Sequence, residues 1–207
     1  ALAVGLVATG AVVMFSTSRM SAAMGGSTAI ACIIGAYAFL ATNSTAAMIL
    51  GCIGGGIFIM LLAIGLSRLL HMDVMILSII FMTLLLAVQQ WLLDGGKNLS
   101  LDYARMKELQ NMNLPLTFCA VFVIVCMILL EFSPFGRKLK LIGSNETCSR
   151  QVGINTQRML AWAFLIAGIG VGLGAAVTLM RSATVSQNTV NSMNMDVMLA
   201  VVLGGTP

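Results

Sequence analysis

A polar island at residues 133–155, which reads SPFGRKLKLIGSNETCSRQVGIN, contains five of the 18 Lys, Arg, Asp and Glu residues of this chain. This polar island separates two long apolar runs, residues 114–132 and 159–180, and the second run carries no charge. The island holds four bases and one acid, namely Arg137, Lys138, Lys140, Arg150 and Glu146. These residue types recognise a partner by charge and hydrogen bonding, and they include no nucleophile with its base. A loop of this length and composition is more than a connector and indicates a structured element presented to another molecule.

Within the island, the spacing of capping residues predicts a short helix over residues 144–152. Its boundaries follow from glycines read as breakers of regular structure: Gly136, Gly143 and Gly153. Ser144 or Asn145 is placed to cap the N-terminus, because either side chain can accept a hydrogen bond from the first-turn amides. Gly153 suits the left-handed position that follows a helix.

The short helix is expected to be amphipathic and to dock into a groove on a partner protein. Glu146 favours the positive end of the helix dipole, and Arg150 lies near the negative end. Val152 and Ile154 supply apolar contacts. Such a preformed helix fits a groove on a partner and transmits rigid-body motion.

Other residues that could do chemistry are few and scattered. His71 is the single histidine and stands between Arg68 and Asp73, where a solvated loop residue is the stronger interpretation. The five cysteines form no CxxC pair and are expected to act as small apolar residues: Cys32, Cys52, Cys119, Cys126 and Cys148. The 16 methionines follow no single helix face and are interpreted as apolar filler. We therefore expect no catalytic residue, no metal site and no cofactor.

The elements that must position the island are apolar helices. The chain is 59% hydrophobic and 9% charged, against roughly a quarter charged in soluble domains. Six segments are long enough, or nearly so, to cross a membrane: approximately Ala1–Phe15 (truncated), Met20–Ala41, Ala46–Leu66, Val74–Leu93, Leu114–Phe132 and Met159–Met180. A seventh run, Met193–Leu203, suits a re-entrant or broken helix. The expected fold is an all-α polytopic membrane protein, with a single transmembrane domain over residues 1–207 that is incomplete at both ends.

Charge distribution sets the expected orientation. If residues 133–158 are cytoplasmic, alternation places seven bases inside and four outside, which agrees with the excess of Lys and Arg in cytoplasmic loops. The inside set is Arg19, Arg68, Arg137, Lys138, Lys140, Arg150 and Arg158. The outside set is Lys97, Arg105, Lys107 and Arg181. The net charge of +4 thus reflects topology and not a nucleic-acid surface.

Glycine pairs inside the apolar segments predict close helix packing. Gly51/Gly55, Gly168/Gly172 and Gly170/Gly174 have GxxxG spacing, which lets two backbones approach in lipid. A nucleotide-binding loop at Gly168 is disfavoured, because no strand precedes it and no Lys-Ser/Thr pair follows.

Two motifs together resemble those of ribose-type (monosaccharide) ABC transporter permeases. The run Phe135-Gly-Arg-x4-Ile-Gly-x-Asn-x7-Gly-Ile-Asn155 is similar to the cytoplasmic coupling loop of that family. Asp196, followed by Ala200-Val-Val-Leu-Gly-Gly-Thr206, is similar to a later family segment and occurs at the expected distance. The earlier segment Ala22-Ala-Met-Gly-Gly-Ser27 keeps the glycine and serine of a family element and lacks its acid.

The resemblance implies a permease subunit in a bacterial inner membrane, part of an ATP-driven importer for a monosaccharide or similar small polar solute. It also implies partners: an ATP-binding subunit that hydrolyses ATP, a periplasmic solute-binding protein and a second permease subunit. It places the ATPase-coupling loop at about 133–157, with Gly136, Arg137, Gly143, Asn145, Glu146, Arg150, Gly153, Ile154 and Asn155 as its residues. A second group is implied near the pathway: Asp196, Gly204, Gly205 and Thr206.

Two other classes of function remain as alternatives. A secondary transporter or channel would need intramembrane charges or broken-helix repeats, and little beyond Met193–Leu203 points to them. An intramembrane enzyme would need a nucleophile and base, or metal ligands, at depth. Gln89 and Gln90 are strongly polar residues within a span; capping or interfacial hydrogen bonding is the stronger expectation for them, and a passage-facing role is the alternative.

Overall fold

The computed structural model describes residues 2–17, 23–42, 44–70, 74–93, 99–100, 114–182, 184–185, 195–197, 199–201 and 203. Its elements, in chain order, are α1 (Leu2–Phe15), α2 (Met24–Thr42), α3 (Thr45–Leu70), α4 (Val74–Leu92), β1 (Leu99–Ser100), α5 (Leu114–Glu131), α6 (Pro134–Ser144), α7 (Glu146–Gln151), α8 (Thr156–Ser182) and β2 (Thr184–Val185). The described parts of residues 195–203 are also helical. The all-α prediction is therefore confirmed, apart from a two-residue antiparallel ladder that pairs Leu99 with Val185 and Ser100 with Thr184.

All six predicted apolar segments form helices, with ends within a few residues of the expected positions. Three of them, α2, α3 and α8, are long and apolar enough to cross a membrane within the described residues. Helices α5 and α6 together are also long and apolar enough to cross a membrane, but they are bent by 68° relative to each other. Helix α1 and residues 76–92 of α4 are shorter apolar helices. The described residues therefore hold three or four crossing candidates by length and composition, where the sequence predicted six spans.

Helix α8 is the centre of the bundle, and its glycines explain why. A Cβ added at Gly172 would lie 2.5 Å from the Cα of Ile53 in α3. A Cβ added at Gly170 would lie 3.0 Å from the Cα of Gly10 in α1. The two overlapping GxxxG pairs thus serve two different neighbours, which confirms the predicted role of these glycines in helix packing.

The glycines of helix α3 also contact two different neighbouring helices. An added Cβ at Gly51 would lie 2.9 Å from the Cβ of Ala38 in α2, and one at Gly55 would lie 3.0 Å from Ile34. Gly56, the next residue, faces α8 instead, and its added Cβ would lie 2.5 Å from the carbonyl oxygen of Gly168. Helix α3 is therefore wedged between α2 and α8.

The contacts also fix the relative directions of the helices. Gly10 lies against Ala167 while Gly170 lies against Leu6, so α1 runs antiparallel to α8. The Cys32 thiol lies 3.5 Å from the Ala175 carbonyl oxygen, and Gly35 lies against Leu179. Helix α2 therefore runs parallel to α8.

These directions place the end of α1 and the start of α2 part-way along α8. Phe15 lies roughly 7 Å along the helix from Gly10, at ~1.5 Å per residue, and therefore beside the first half of α8. The same reasoning places Met24 at a similar depth. For this part of the chain the sequence predicts a truncated span, Ala1–Phe15, and a second span, Met20–Ala41, of which α2 is long and apolar enough to cross a membrane. Four bases of the orientation argument lie outside the described residues, so the orientation stays a prediction: Arg19, Lys97, Arg105 and Lys107. His71 and Asp73, for which a solvated loop was expected, lie outside them as well.

Candidate functional site

The first half of the polar island forms α6, a helix that the sequence analysis did not predict. Ser133 has extended backbone angles, and its Oγ accepts a hydrogen bond from the Phe135 amide at 3.2 Å. Pro134 occupies the first helical turn, where its missing N–H costs nothing. The Ser-Pro pair was the sequence signal for this start. The interpretation of Gly136 and Gly143 as breakers is wrong, because both lie inside α6.

Gly136 is instead required by a close approach. A Cβ at this position would lie 2.0 Å from the Leu130 carbonyl oxygen and 2.6 Å from the Leu130 Cα. These are backbone atoms of α5, so no side-chain rotation can relieve the overlap. Glycine at this position therefore allows α6 to turn by 68° directly against the end of α5.

Helix α6 has one buried face and one basic face. Gly136, Leu139 and Ile142 are buried, and Leu139 belongs to a cluster that also contains Val13 of α1 and Ala163 of α8. The exposed residues include three bases and an apolar side chain: Arg137, Lys138, Lys140 and Leu141. The helix is thus anchored on the bundle and presents positive charge away from it.

Asn145 joins α6 to α7 and caps both. Its N–H donates to the Leu141 carbonyl at 3.2 Å, which closes α6. Its Oδ1 accepts from the amides of Thr147 at 3.0 Å and Cys148 at 3.2 Å, which caps α7. The predicted short helix is confirmed in a shorter form, Glu146–Gln151, and Asn145 is its N-cap. Ser144 is the last residue of α6.

Ser149 fixes α7 against the end of α6. Its Oγ lies 3.0 Å from the Leu141 carbonyl oxygen and 2.9 Å from the Asn145 carbonyl oxygen. The residue is only 4% exposed although the helix around it is on the surface. Sequence reasoning missed this residue, because a serine within a polar stretch gives no sign of which face will be buried.

Gly153 ends α7 in the predicted way. Its φ is +83°, a left-handed conformation that favours glycine. The Ile154 amide then donates to the Ser149 carbonyl at 3.1 Å, the hydrogen bond typical of a Schellman helix end. No atom lies within 4 Å of an added Cβ at Gly153. The requirement for glycine here therefore comes from the backbone angle and not from crowding.

The chain passes directly from this turn into the central helix. Asn155 Oδ1 accepts from the Arg158 amide at 3.3 Å and so caps α8. The carbonyl of Gln157, in the first turn of α8, accepts a hydrogen bond from the Arg68 guanidinium at the end of α3. Sequence analysis did not find this contact, since it joins residues 89 positions apart.

Seven predicted site residues therefore lie in one folded unit, the α6–α7 elbow, defined as residues 133–155: Gly136, Arg137, Gly143, Asn145, Gly153, Ile154 and Asn155. Asn155 is the last residue of this unit and the cap of α8. The backbones of Glu146 and Arg150 belong to α7, and their side chains lie outside the described residues. Asp196 is helical and exposed on a separate part of the chain, and Gly204, Gly205 and Thr206 lie outside the described residues.

Comparison with known proteins identifies the family. The profile of the family described as branched-chain amino acid transport system / permease component matches residues 1–207. The ribose import permease protein RbsC of Bacillus subtilis (strain 168) is 34% identical over 91 residues, which cover 44% of this chain and 28% of that protein. The autoinducer 2 import system permease protein LsrC of Yersinia pseudotuberculosis serotype O:1b (strain IP 31758) is 31% identical over 119 residues, 55% of this chain and 34% of that protein.

The aligned segments thus span about a third or less of these curated relatives. No solved structure matches the chain. The resemblance to ribose-type permeases is confirmed by these matches, and the apolar helices agree with a multi-pass membrane protein. The chain belongs to the branched-chain amino acid transport system / permease component family and is a helical membrane permease subunit.

Proposed function

We propose that this permease subunit belongs to an ATP-driven importer of a bacterial inner membrane and carries a monosaccharide or a similar small polar solute. Its relatives are named as importers of ribose and of autoinducer 2, which supports import of a small polar solute. The family description names branched-chain amino acids, so family membership alone does not select the cargo. Outside the elbow and the start of α8, the buried polar residues that the structure describes are all neutral, which favours an uncharged cargo: Thr17, Ser27, Thr28, Ser67, Ser78 and Gln89.

The α6–α7 elbow is the proposed docking element for an ATP-binding subunit, and its preformed geometry is the observation that carries this proposal. Both helices are capped by Asn145, and Ser149 holds them together. A unit with this many internal hydrogen bonds moves as one body, whereas a flexible loop would absorb an applied force. Val152 at the end of α7 is 77% exposed and offers an apolar contact to a partner.

The bases of the elbow support a cytoplasmic position for it. Arg137, Lys138 and Lys140 are exposed on one short helix, and Lys and Arg are enriched on the cytoplasmic side of membrane proteins. The ATP-binding subunit of an importer works on that side. The solute-binding protein and a second permease subunit are the other partners we propose.

Motion of the elbow would reach the bundle through α8. A four-residue turn, residues 152–155, connects α7 to the first turn of α8, and Asn155 caps the start of α8. Helix α8 contacts α1 and α3 through backbone at its glycines, and Arg68 connects its first turn to the end of α3. A displacement of α7 would therefore move the packed helices together.

The test compares two substitutions of one residue. The full-length protein is reconstituted in vesicles with the proposed ATP-binding subunits and solute-binding protein, and ATP hydrolysis is measured with and without the binding protein. Gly153→Val should abolish the stimulation of ATP hydrolysis, because a β-branched residue resists the left-handed angle. Gly153→Asn should retain most of it, since asparagine tolerates that angle. Equal stimulation in both variants and the parent would overturn the coupling role.

Two further measurements test, separately, the role of charge in coupling and the class of the transported solute. Glu146→Arg reverses one charge of α7 and should reduce stimulation in a salt-dependent manner while leaving the fold intact, because charge–charge interactions with a partner are screened by ions. ATP-dependent uptake of labelled D-ribose, with unlabelled neutral monosaccharides as competitors, tests the cargo class. ATP-dependent uptake of a charged solute alone would contradict that part of the proposal.

A further inference from the structure

Positive charge is concentrated at the end of the bundle where the elbow meets α8. Arg68 belongs to this end because its guanidinium donates to a carbonyl in the first turn of α8. Among the side chains that the structure describes there, Glu131 at the end of α5 is the one exposed acid. The exposed bases at this end are Arg68, Arg137, Lys138, Lys140 and Arg158. A surface with this excess of positive charge attracts an anionic partner.

Trp162 marks the depth of the membrane surface on α8. Its side chain is 57% exposed, and it lies one helical turn after the exposed Arg158, on the same face of the helix. Tryptophan is enriched where a membrane meets water, and an arginine near a helix end extends toward the headgroups. From Trp162 onward α8 carries no charge until Arg181. The membrane surface therefore lies near residues 158–162.

Helix α6 lies at the same depth. It contacts α8 directly, and Leu139 belongs to the same packed cluster as Ala163, the residue after Trp162. Helix α6 is bent by 68° from the apolar helix α5, so it runs close to the membrane plane when α5 crosses the membrane. Phe132, at the bend, is 76% exposed, as expected for a side chain that contacts lipid. Helix α6 therefore has the position of an interfacial helix.

The exposed face of α6 combines positive charge with an apolar side chain. Leu141 is 54% exposed and lies one helical turn from both Arg137 and Lys138, so it stands between these bases on the helix surface. Water disfavours an exposed leucine, whereas the boundary between acyl chains and headgroups favours an apolar side chain flanked by bases. This composition and depth fit a lipid better than a soluble protein partner.

We propose that the basic face of α6, defined as Arg137, Lys138, Lys140 and Leu141, binds an anionic phospholipid at the membrane surface. The three bases donate hydrogen bonds to the phosphate oxygens of the headgroup, and Leu141 contacts the acyl chain. This division leaves α7, with its exposed Val152, for the proposed ATP-binding subunit. The inference goes beyond transport and depends on neither the cargo nor the ATP-binding subunit.

The first test measures lipid affinity by native mass spectrometry on the full-length subunit in detergent, titrated separately with phosphatidylglycerol and phosphatidylcholine. Arg137→Gln/Lys138→Gln/Lys140→Gln is compared with Arg181→Gln, which removes an exposed base at the other end of α8. One base near an anionic surface contributes about five-fold in affinity, so the triple variant should bind phosphatidylglycerol at least about five-fold more weakly than the parent. Unchanged affinity in the triple variant, or an equal loss in Arg181→Gln, would overturn the proposal.

The second test asks whether the face touches lipid. A nitroxide is attached at Leu141→Cys or at Val152→Cys in full-length protein without other cysteines, in vesicles of phosphatidylglycerol and phosphatidylcholine. Its collision rates with oxygen, which concentrates in lipid, and with a water-soluble nickel chelate are then compared. Both parent side chains are exposed, so neither substitution disturbs the core. Residue 141 should show a clearly higher ratio of oxygen to nickel collisions than residue 152, and equal ratios would contradict membrane contact.

A third test separates the lipid from a protein partner. The triple variant is assembled with the ATP-binding subunit in vesicles of phosphatidylcholine alone, where no anionic lipid competes. We expect it to assemble as well as the parent; loss of assembly would assign the bases to the ATP-binding subunit and overturn the proposal. If the transporter shows no ATP-dependent uptake while the affinity and collision results hold, the proposed function fails and the lipid site on α6 still stands.

Discussion

Replacing Gly172 by alanine is expected to force α3 and α8 apart. The added Cβ would lie 2.5 Å from the Ile53 Cα and 2.7 Å from the Cys52 carbonyl oxygen. Non-bonded carbon atoms normally rest ~3.5–4.0 Å apart, so the two helices must separate by about 1 Å. The opposing atoms are backbone, and no rotamer change can make room for the methyl group.

The size of the effect follows from a matched variant, Gly54→Ala. Gly54 lies in α3 and has nothing within 4 Å of an added Cβ, so alanine there gains only helix propensity, about 1 kcal/mol. Gly172→Ala gains the same propensity and loses roughly 1–3 kcal/mol to overpacking. The difference between the two variants therefore measures the clash alone.

Thermal unfolding of the detergent-solubilised full-length protein provides the assay. A difference of about 1–3 kcal/mol corresponds to a gap of roughly 2–12 °C between the two midpoints for a chain of this size. If Gly172→Ala melts at the same temperature as Gly54→Ala, the backbone contact between α3 and α8 does not contribute to stability and the packing argument fails.

Two further predictions concern the α6–α7 elbow. Ser144→Cys, in a background without other cysteines, should react with a membrane-impermeant maleimide only after the membrane is permeabilised, because the elbow is expected on the cytoplasmic side; reaction in intact cells would reverse the orientation. Asn145→Ala removes both hydrogen bonds that Oδ1 accepts at the start of α7 and should lower stability by about 0.5–2 kcal/mol, whereas Asn145→Ser should retain most of it; equal thermal midpoints for these two variants would show that the cap is dispensable.

Local rules made the short helix α7 readable from sequence. Asn145 caps it and Gly153 ends it, and each does so through hydrogen bonds or backbone angles within a few residues of itself. Such interactions depend on near neighbours in the chain, so the sequence contains all the information that they need. The four-residue spacing of Gly168 and Gly172 is also a local feature of the sequence. It indicated a flat helix face without identifying the helix that packs against it.

The same rules failed for Gly136, because the atom that makes glycine necessary belongs to a different helix. Glycine in a polar stretch is typical of a turn, and Ser133-Pro134 was the opposing signal that marked a helix start. Only the fold shows that the Leu130 carbonyl oxygen occupies the place of a Cβ at Gly136. The bend of 68° between α5 and α6 therefore depends on the contact between the two helices, which local sequence rules do not reveal.

The sequence by itself determined that this protein is a bundle of apolar helices with one basic stretch that contains a short capped helix, since hydrophobic length, charge placement and capping are properties of short stretches of chain. The tertiary structure decided which helix each glycine face meets, where along α8 the helices α1 and α2 begin and end, and that Gln89 is buried while Gln90 is exposed. The physical reason is the same in each case. Which face of an apolar helix turns inward depends on the shapes of its neighbours, and when almost every side chain is apolar, no difference in polarity along the sequence reveals that choice.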